Sequence, residues 1–459
     1  MKWYHKSFPN LGQGFDPPIP LQTPGYTFTL RKWVNCQHHK GTVRTFLLQG
    51  SIYERLEIAW EVLLFLTSLK QLDRVTTQFW ALVVRSSKTL IQGTFLKNLY
   101  CTAPWRGLHI GTDGEVKPCC AGPHGFGNIN NNDIEDIINV PTWQLLRQQI
   151  ADNVIPTYCN TCKRNGLTAE RIWHNTTSPD ITELGKDHHG PAILDVRWSN
   201  ACNLTCIYCG PRDSSMWAKK LNRPLLTKRK DYYKNIIDYV QANQQHLQTV
   251  TFIGGEPLLI PQCADLIDVI PKHVSCTVIT NLSMDLENNL VFKKLALRKN
   301  VSWSISFENV GKQFEFVRRG AKWDQLTKNI LIIKELEKTQ FHVLDIHAVL
   351  NILSLDGLTD LIKVGTEQQI CYVINFLEGP AALDLRRFPA HIVDSIKTKI
   401  QPAYELMNQA DKDALTDYFN NNLKPSDYQI DNFYKFIQTM ETDELKFSEI
   451  WPELHQLLS

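Results

Sequence analysis

The chain of 459 residues lacks the features that tie a protein to a membrane. Residues 1–6 do not lead into the apolar core of a secretion signal. The most apolar stretch, residues 58–69, is interrupted by Glu61 and is shorter than the roughly 20 residues that cross a bilayer. We therefore expect a cytoplasmic protein with no membrane partner.

A strong charge of either sign is also absent. The 49 Lys and Arg residues nearly balance the 47 Asp and Glu residues, so no broad field attracts nucleic acid, and we do not expect a nucleic-acid partner. Short basic runs, such as residues 219–220 and 228–230, leave a local basic patch open, although a solvated helix face is the usual explanation. The hydrophobic fraction of 43% is that of an ordinary globular protein with a large core.

Cysteine, in contrast, is plentiful. Most of the 12 cysteines are grouped between Cys101 and Cys276. We expect the chain to reside in a reducing compartment. They are too many for chance packing and too few for a small protein held together by disulfides. Metal binding is the better explanation.

The tightest cysteine group is Cys202, Cys206 and Cys209, which follows an apolar run at residues 193–196. A loop that gathers three thiolates directly after a strand can hold three irons of a [4Fe–4S] cluster and leave the fourth iron without a protein ligand. A structural zinc site is the alternative, but zinc needs a fourth Cys or His at short range. The next cysteines, Cys263 and Cys276, lie far downstream.

A second cysteine group surrounds a predicted hairpin, with strands at residues 108–110 and up to 118 joined by a turn at 112–115. One thiolate at each end of the hairpin and a later C-x2-C pair give four ligands and a complete site. By geometry alone this site suits zinc and an iron–sulfur cluster equally. The candidate ligands are Cys101, Cys119 or its neighbour Cys120, Cys159 and Cys162.

From residue 192 onward, strand-like and helical segments alternate, which predicts a parallel sheet wrapped by helices. Active sites of such sheets lie at the carboxyl ends of the strands. Polar and glycine-rich residues follow several of these strands: Gly254, Gly255, Glu256, Pro257, Thr280, Asn281, Ser306, Glu308 and Asn351. The predicted strands are residues 193–198, 249–253, 276–280, 302–306, 342–350 and 370–377.

The loop of Cys202, Cys206 and Cys209 resembles the signature of radical S-adenosylmethionine (radical SAM) enzymes, down to the aromatic Tyr208 before the third cysteine. In that family SAM fills the open iron position and is cleaved reductively to a 5′-deoxyadenosyl radical, which abstracts a hydrogen from the substrate. The resemblance implies an α/β fold, a partial (β/α)6 barrel like an incomplete TIM barrel.

The same resemblance assigns cofactor-binding residues. Gly254-Gly255-Glu256-Pro257 is similar to the family's GGEP motif, whose backbone and glutamate bind the amino group of SAM. Ser306 and Glu308 resemble a polar segment that contacts the ribose or the carboxylate of SAM, although an aspartate is commoner at Glu308. Thr280-Asn281 and Asn351 resemble polar positions of the same pocket, with strand-end capping as the alternative.

Cys101, Gly114 and Cys119 have the spacing that opens the SPASM and twitch auxiliary-cluster domains of many radical SAM enzymes. The resemblance implies a single auxiliary [4Fe–4S] cluster held by Cys101, Cys119, Cys159 and Cys162. Spacing alone does not decide between Cys119 and Cys120. In most of these enzymes the auxiliary domain follows the barrel, whereas here it precedes it.

The predicted organisation is an N-terminal segment of unknown role (1–96), an auxiliary iron–sulfur domain (97–190), a radical SAM core (191–385) and a helical C-terminal cap (386–459). Family likeness implies flavodoxin or ferredoxin as the electron donor. The substrate is a peptide, a protein or a small molecule, and no residue identifies which. The alternative function is a non-catalytic zinc or iron–sulfur module that docks a partner or RNA. The turn Gly254-Gly255-Glu256-Pro257 disfavours this alternative.

Overall fold

The computed structural model describes residues 101–152, 154–160, 190–224, 226, 228–377, 379–420 and 429–459. The N-terminal segment 1–96 and all of residues 161–189, which include the ligand candidate Cys162, lie outside the described residues. In the part of the chain that the structure describes, no helix has the length and apolar character to cross a membrane.

One sheet of nine strands organises the described residues, in the order β3-β2-β1-β4-β5-β6-β7-β8-β9. Strands β4 to β9 are all parallel and lie side by side in chain order, with helices between them, which confirms the partial (β/α)6 architecture. The strands are β1 (Gly107–Ile110), β2 (Glu115–Lys117), β3 (Gly127–Asn128), β4 (Ile193–Val196), β5 (Thr249–Phe252), β6 (Ser275–Thr280), β7 (Val301–Ser306), β8 (Val343–Leu350) and β9 (Cys371–Phe376).

Three of the described helices precede β4, others connect the strands of the barrel, and the last ones continue alone into the C-terminal region. They are α1 (Ala103–Arg106), α2 (Ile134–Ile138), α3 (Pro141–Ala151), α4 (Ser215–Lys220), α5 (Tyr232–Ala242), α6 (Pro261–Val269), α7 (Leu290–Ala296), α8 (Gly311–Val317), α9 (Trp323–Gln340), α10 (Ile352–Asp356), α11 (Leu358–Gln368), α12 (Ala390–Lys399), α13 (Gln401–Leu406), α14 (Gln409–Asn420), α15 (Gln429–Gln438), α16 (Phe447–Ile450) and α17 (Pro452–Leu458).

The predicted hairpin is confirmed as β1 and β2, which pair antiparallel. Its turn contains Gly114 at φ +89°, a conformation that a residue with a Cβ rarely adopts. The sequence did not predict that β1 also pairs in parallel with β4, with His109 opposite Asp195. The hairpin therefore extends the barrel sheet.

The two faces of the sheet differ in chemistry because side chains alternate along each strand. On one face, residues such as Val196, Phe252 and Val278 are completely buried in the hydrophobic core. The register places Asp195, Thr251 and Thr277 side by side on the other face. The face of the sheet opposite this core therefore carries a row of polar side chains across β4, β5 and β6.

The C-terminal helices form the predicted cap and fasten one loop of the site. Trp451 is 1% exposed and its ring meets Phe316 of α8 edge-on, with ring centroids 5.2 Å apart. Arg319, two residues after the end of α8, donates from Nη1 to Met440 Sδ at 3.7 Å. The cap thus fixes the segment that follows α8, which reaches the cysteine loop.

Candidate active site

The loop with the three cysteines follows β4 and is held by backbone bonds to the segment after α8. Thr205 N donates to Arg319 O at 3.0 Å, and Ile207 N donates to Val317 O at 2.9 Å. The indole of Trp217 donates to Cys206 O at 2.9 Å. These contacts fix the cysteine backbone from two sides.

The three thiols of this loop lie in unequal surroundings. Cys206 is buried, whereas Cys202 and Cys209 are half-buried. A hydrogen bond from the Cys209 thiol lowers the pKa of Cys206, and the same bond raises the pKa of Cys209. Burial raises the pKa of Cys202 to about 11. Cys206 and Cys209 thus lie within hydrogen-bonding distance of each other.

The three thiols match a four-iron cluster in number and chemistry. Such a cluster takes one cysteine thiolate per iron. Cys202, Cys206 and Cys209 would therefore supply ligands for three irons, and the fourth iron would have no ligand from this loop. Among the described residues, no group of three or more His, Cys, Asp or Glu side chains lies close enough to hold a single metal ion.

The glycine pair after β5 packs directly on the cysteine loop. Gly254 and Gly255 have φ values of +95° and +29°. A Cβ at Gly255 would lie 2.2 Å from the backbone oxygen of Ala201, which leaves no room for a side chain. The amide of Glu256 donates to the same oxygen at 2.7 Å. This turn therefore depends on glycine to approach the residue before Cys202.

Glu256 is completely buried, and its carboxylate is occupied by neighbours in the chain. It accepts hydrogen bonds from Leu258 N at 3.0 Å, Thr280 Oγ1 at 2.7 Å and Asn281 N at 2.8 Å. Burial raises the pKa of Glu256 despite these donors. The carboxylate joins the end of β6 to the end of β5.

Asn281 continues this network to the cysteines. Its Nδ2 donates to Asn203 Oδ1 at 3.1 Å and lies 3.9 Å from Cys202 Sγ. Ser283 donates to Asn281 Oδ1 at 2.6 Å. The polar residues at the end of β6 thus contact the cysteine loop itself.

Replacing Glu256 with glutamine should destabilise the fold. The amide keeps one accepting oxygen, but its NH2 group would face a backbone donor, either Leu258 N or Asn281 N. Leaving such a buried donor unsatisfied costs about 1–3 kcal/mol. Urea unfolding of the two proteins would measure this loss. Glu287→Gln is the matched control, because Glu287 is exposed and pairs only at the surface with Lys328.

Glu308 follows β7 and lies in a buried ion pair with Arg318. Arg318 Nε donates to Glu308 Oε2 at 3.0 Å, and its Nη2 pairs with Oε1. Tyr208, beside the third cysteine, donates to the same Oε1 at 2.7 Å. Although burial disfavours a charged guanidinium, Glu308 raises the pKa of Arg318 well above its usual value. Sequence reasoning missed Arg318, since no spacing points to it.

The remaining residues that the sequence predicts to bind the cofactor lie at or just after strand ends, and each has a different structural role there. Asn351 is buried and caps α10, accepting from Leu353 N at 3.0 Å. Pro257 opens a short 3-10 helix after the glycine turn. Ser306 ends β7 opposite His347 of β8. Their contact with a cofactor stays a prediction.

A polar cluster on the inner face of β7, β8 and β9 was not predicted. Ser304 donates to Asp345 Oδ1 at 2.6 Å and lies 3.4 Å from His347 Nδ1, while Asn375 is 2.9 Å from His347 Nε2. Burial raises the pKa of Asp345 and lowers that of His347. The period-two spacing of Asp345 and His347 in a predicted strand was the available signal.

In the second cysteine group, Cys119 and Cys159 both lie near Tyr158. The pKa of Tyr158 is raised, mainly by burial and then by the charges of Cys119 and Cys159. Cys120 is exposed, whereas Cys119 is half-buried. Cys101 Sγ accepts from Ala103 N at 3.4 Å.

Comparison with known families agrees with both cysteine groups. Residues 196–363 match the family model of the radical SAM superfamily, and residues 101–163 match SPASM, an iron–sulfur cluster-binding domain. Residues 196–363 therefore form a radical SAM domain. Its SPASM match comes before the radical SAM core, which confirms the predicted order.

The individual proteins that match this chain are similar to it over a short stretch or at low identity. GTP 3′,8-cyclase of Streptomyces coelicolor is 34% identical over 84 residues, which cover 18% of this chain and 23% of the cyclase. The structure of Streptococcus suis SuiB bound to S-adenosylmethionine has 16% identity and a TM-score of 0.35, and the match covers 69% of this chain and 63% of SuiB. Native anSMEcpe with bound AdoMet and a peptide has 17% identity and a TM-score of 0.34, over 55% of this chain and 67% of anSMEcpe.

Proposed function

We propose that this protein is a radical SAM enzyme in which Cys202, Cys206 and Cys209 hold a [4Fe–4S] cluster with one iron open to SAM. The observation that carries the proposal is the three-cysteine loop at the carboxyl end of β4, fastened to the Gly254-Gly255 turn through Ala201. When bound, the cluster supplies the electron for reductive cleavage of SAM to a 5′-deoxyadenosyl radical. The protein holds the cofactors and positions the substrate.

The residues at the strand ends have separate tasks in this proposal. The glycine turn packs on Ala201 beside the cysteine loop because it has no side chain to collide there, and it presents its backbone to SAM. Ser306 and Asn351 lie at the same edge and complete the polar wall of the cofactor pocket. The buried Glu256 orients the ends of β5 and β6, in addition to its proposed contact with the amino group of SAM.

The substrate occupies the polar interior of the barrel. Asp345, His347 and Asn375 line its open side, where β9 leaves Val373 39% exposed. We propose a peptide or a small molecule with hydrogen-bonding groups as the substrate. SuiB has been captured with a precursor peptide, which favours a peptide among these candidates. An auxiliary [4Fe–4S] cluster on Cys101, Cys119, Cys159 and Cys162 would bind substrate or accept its electron.

Anaerobic reconstitution followed by a cleavage assay tests the proposal. The reduced protein should convert SAM to 5′-deoxyadenosine and methionine in the presence of dithionite, with flavodoxin or ferredoxin as alternative donors. Glu256→Gln should bind SAM about tenfold more weakly or worse, since a charge-assisted hydrogen bond contributes roughly 1.5–3 kcal/mol. A colourless protein that holds zinc and leaves SAM intact would support a non-catalytic metal-binding module instead.

A further inference from the structure

The ion pair of Arg318 and Glu308 is buried beside the cysteine loop, where a pair of apolar residues would be the simpler choice. Glu308 is completely buried and Arg318 is 6% exposed. Buried ion pairs are often less stabilising than well-packed apolar side chains of the same volume. Stability alone therefore does not account for this pair.

The guanidinium group has one nitrogen directed at a proposed cluster ligand. Arg318 uses Nε and Nη2 on the two oxygens of Glu308, and its Nη1 lies 4.0 Å from Cys206 Sγ. The centre of the guanidinium lies 5.4 Å from the ring centroid of Tyr208. Tyr208 and Arg318 thus both bridge Glu308 to the cysteine loop.

The backbone fixes Arg318 in this place from both sides. Val317 O and Arg319 O accept hydrogen bonds from Ile207 and Thr205, the residues on either side of Cys206. The amide of Arg318 itself donates to Phe314 O at 2.7 Å. A side chain held so closely acts on the sulfur at a constant distance.

We propose that Arg318 raises the reduction potential of the cluster on Cys202, Cys206 and Cys209, and that Glu308 positions Arg318 and limits the size of this effect. The proposal rests on the function proposed above, since it requires a cluster in this loop. A cation and an N–H donor near a cluster sulfur favour the more negative, reduced state. A buried carboxylate opposes it, so the two charges together set an intermediate potential.

Opposite substitutions should shift the potential in opposite directions. Arg318→Met leaves Glu308 unpaired, which should lower the potential, whereas Glu308→Gln leaves Arg318 unpaired, which should raise it. Each shift should reach at least tenfold in the one-electron reduction equilibrium, which corresponds to about 59 mV. The double variant has the same net charge as the native pair and should return toward the native value.

Redox titration of the reconstituted full-length protein, followed by electron paramagnetic resonance, measures these shifts. The relevant cluster is the one whose signal changes when SAM is added. Arg319→Met is the matched control, because the Arg319 side chain donates to Met440 and its hydrogen bond with the cysteine loop is made by the backbone carbonyl. Its potential should equal that of the native protein.

The outcomes separate this inference from the proposed function. Absence of a SAM-responsive signal in the native protein would overturn the proposed function. If the native protein gives a normal signal but Glu308→Gln has the same reduction potential as the control Arg319→Met, then Arg318 and Glu308 do not set the potential of the cluster. Shifts of the same sign in the two single variants would also overturn it, because they would indicate distortion of the loop. If Arg318→Met fails to fold, the potentials of Glu308→Gln and Arg318→Lys still test the proposal. Arg318→Lys keeps the positive charge, so its potential should lie closer to the native value than that of a variant without the charge.

Discussion

A variant with Cys202, Cys206 and Cys209 all replaced by alanine should make no 5′-deoxyadenosine under dithionite. In the function proposed here, these three thiolates hold the cluster that leaves one iron open to SAM, so their loss removes the site of the electron transfer. The expected effect is complete loss of the product, measured by chromatography after anaerobic incubation with SAM.

The triple variant needs two controls before this result is interpreted. Cys206 is buried among the contacts of Trp217 and the segment after α8, so its removal could disturb the fold. Circular dichroism and the melting temperature should match those of the native protein. Cys263→Ala, at a buried cysteine of α6, is a control for the loss of a buried thiol, and it should keep the cleavage. Production of 5′-deoxyadenosine by the triple variant would disprove the central assignment.

The second large effect concerns iron content. We predict about eight irons per chain, as two four-iron clusters. Cys159→Ala combined with Cys162→Ala should reduce this to about four irons, while cleavage of SAM without substrate continues. Chemical analysis of iron and sulfide measures the change.

Loss of the auxiliary cluster could also destabilise the domain that holds it. A complete four-ligand site can itself stabilise a small domain, so the variant must melt like the native protein. Cys120→Ala is the matched control, since Cys120 is exposed beside the proposed ligand Cys119. We expect it to retain about eight irons. If the iron content of the Cys159 and Cys162 double variant equals that of the native protein, or if the native site holds zinc, the auxiliary cluster is ruled out.

Local patterns in the sequence were sufficient to predict the barrel strands and the glycine turn. The predicted strand 249–253 became Thr249–Phe252, and 276–280 became Ser275–Thr280, because alternation and β-branched residues act within one strand. The pairing of β1 with β4 had no such signal. It joins residues more than 80 positions apart, and parallel partners are selected by tertiary packing.

Side-chain roles at the site were harder to predict for a different reason. Asn351 and Glu256 stand at strand ends, where a polar group binds either a ligand or the nearest unpaired backbone amide. The structure shows the second kind of contact for both residues. Arg318 could not be found at all, because only the docking of α8 brings it to Cys206.

The parallel pairing of β1 with β4 also determines how the chain can be divided. A chain that began at residue 190 would lose β1, so the backbone groups of β4 that now pair with it would become an open sheet edge. Such an edge invites pairing with another molecule and aggregation. Domain exchange between relatives should therefore cut outside residues 107–196, so that β1 stays paired with β4.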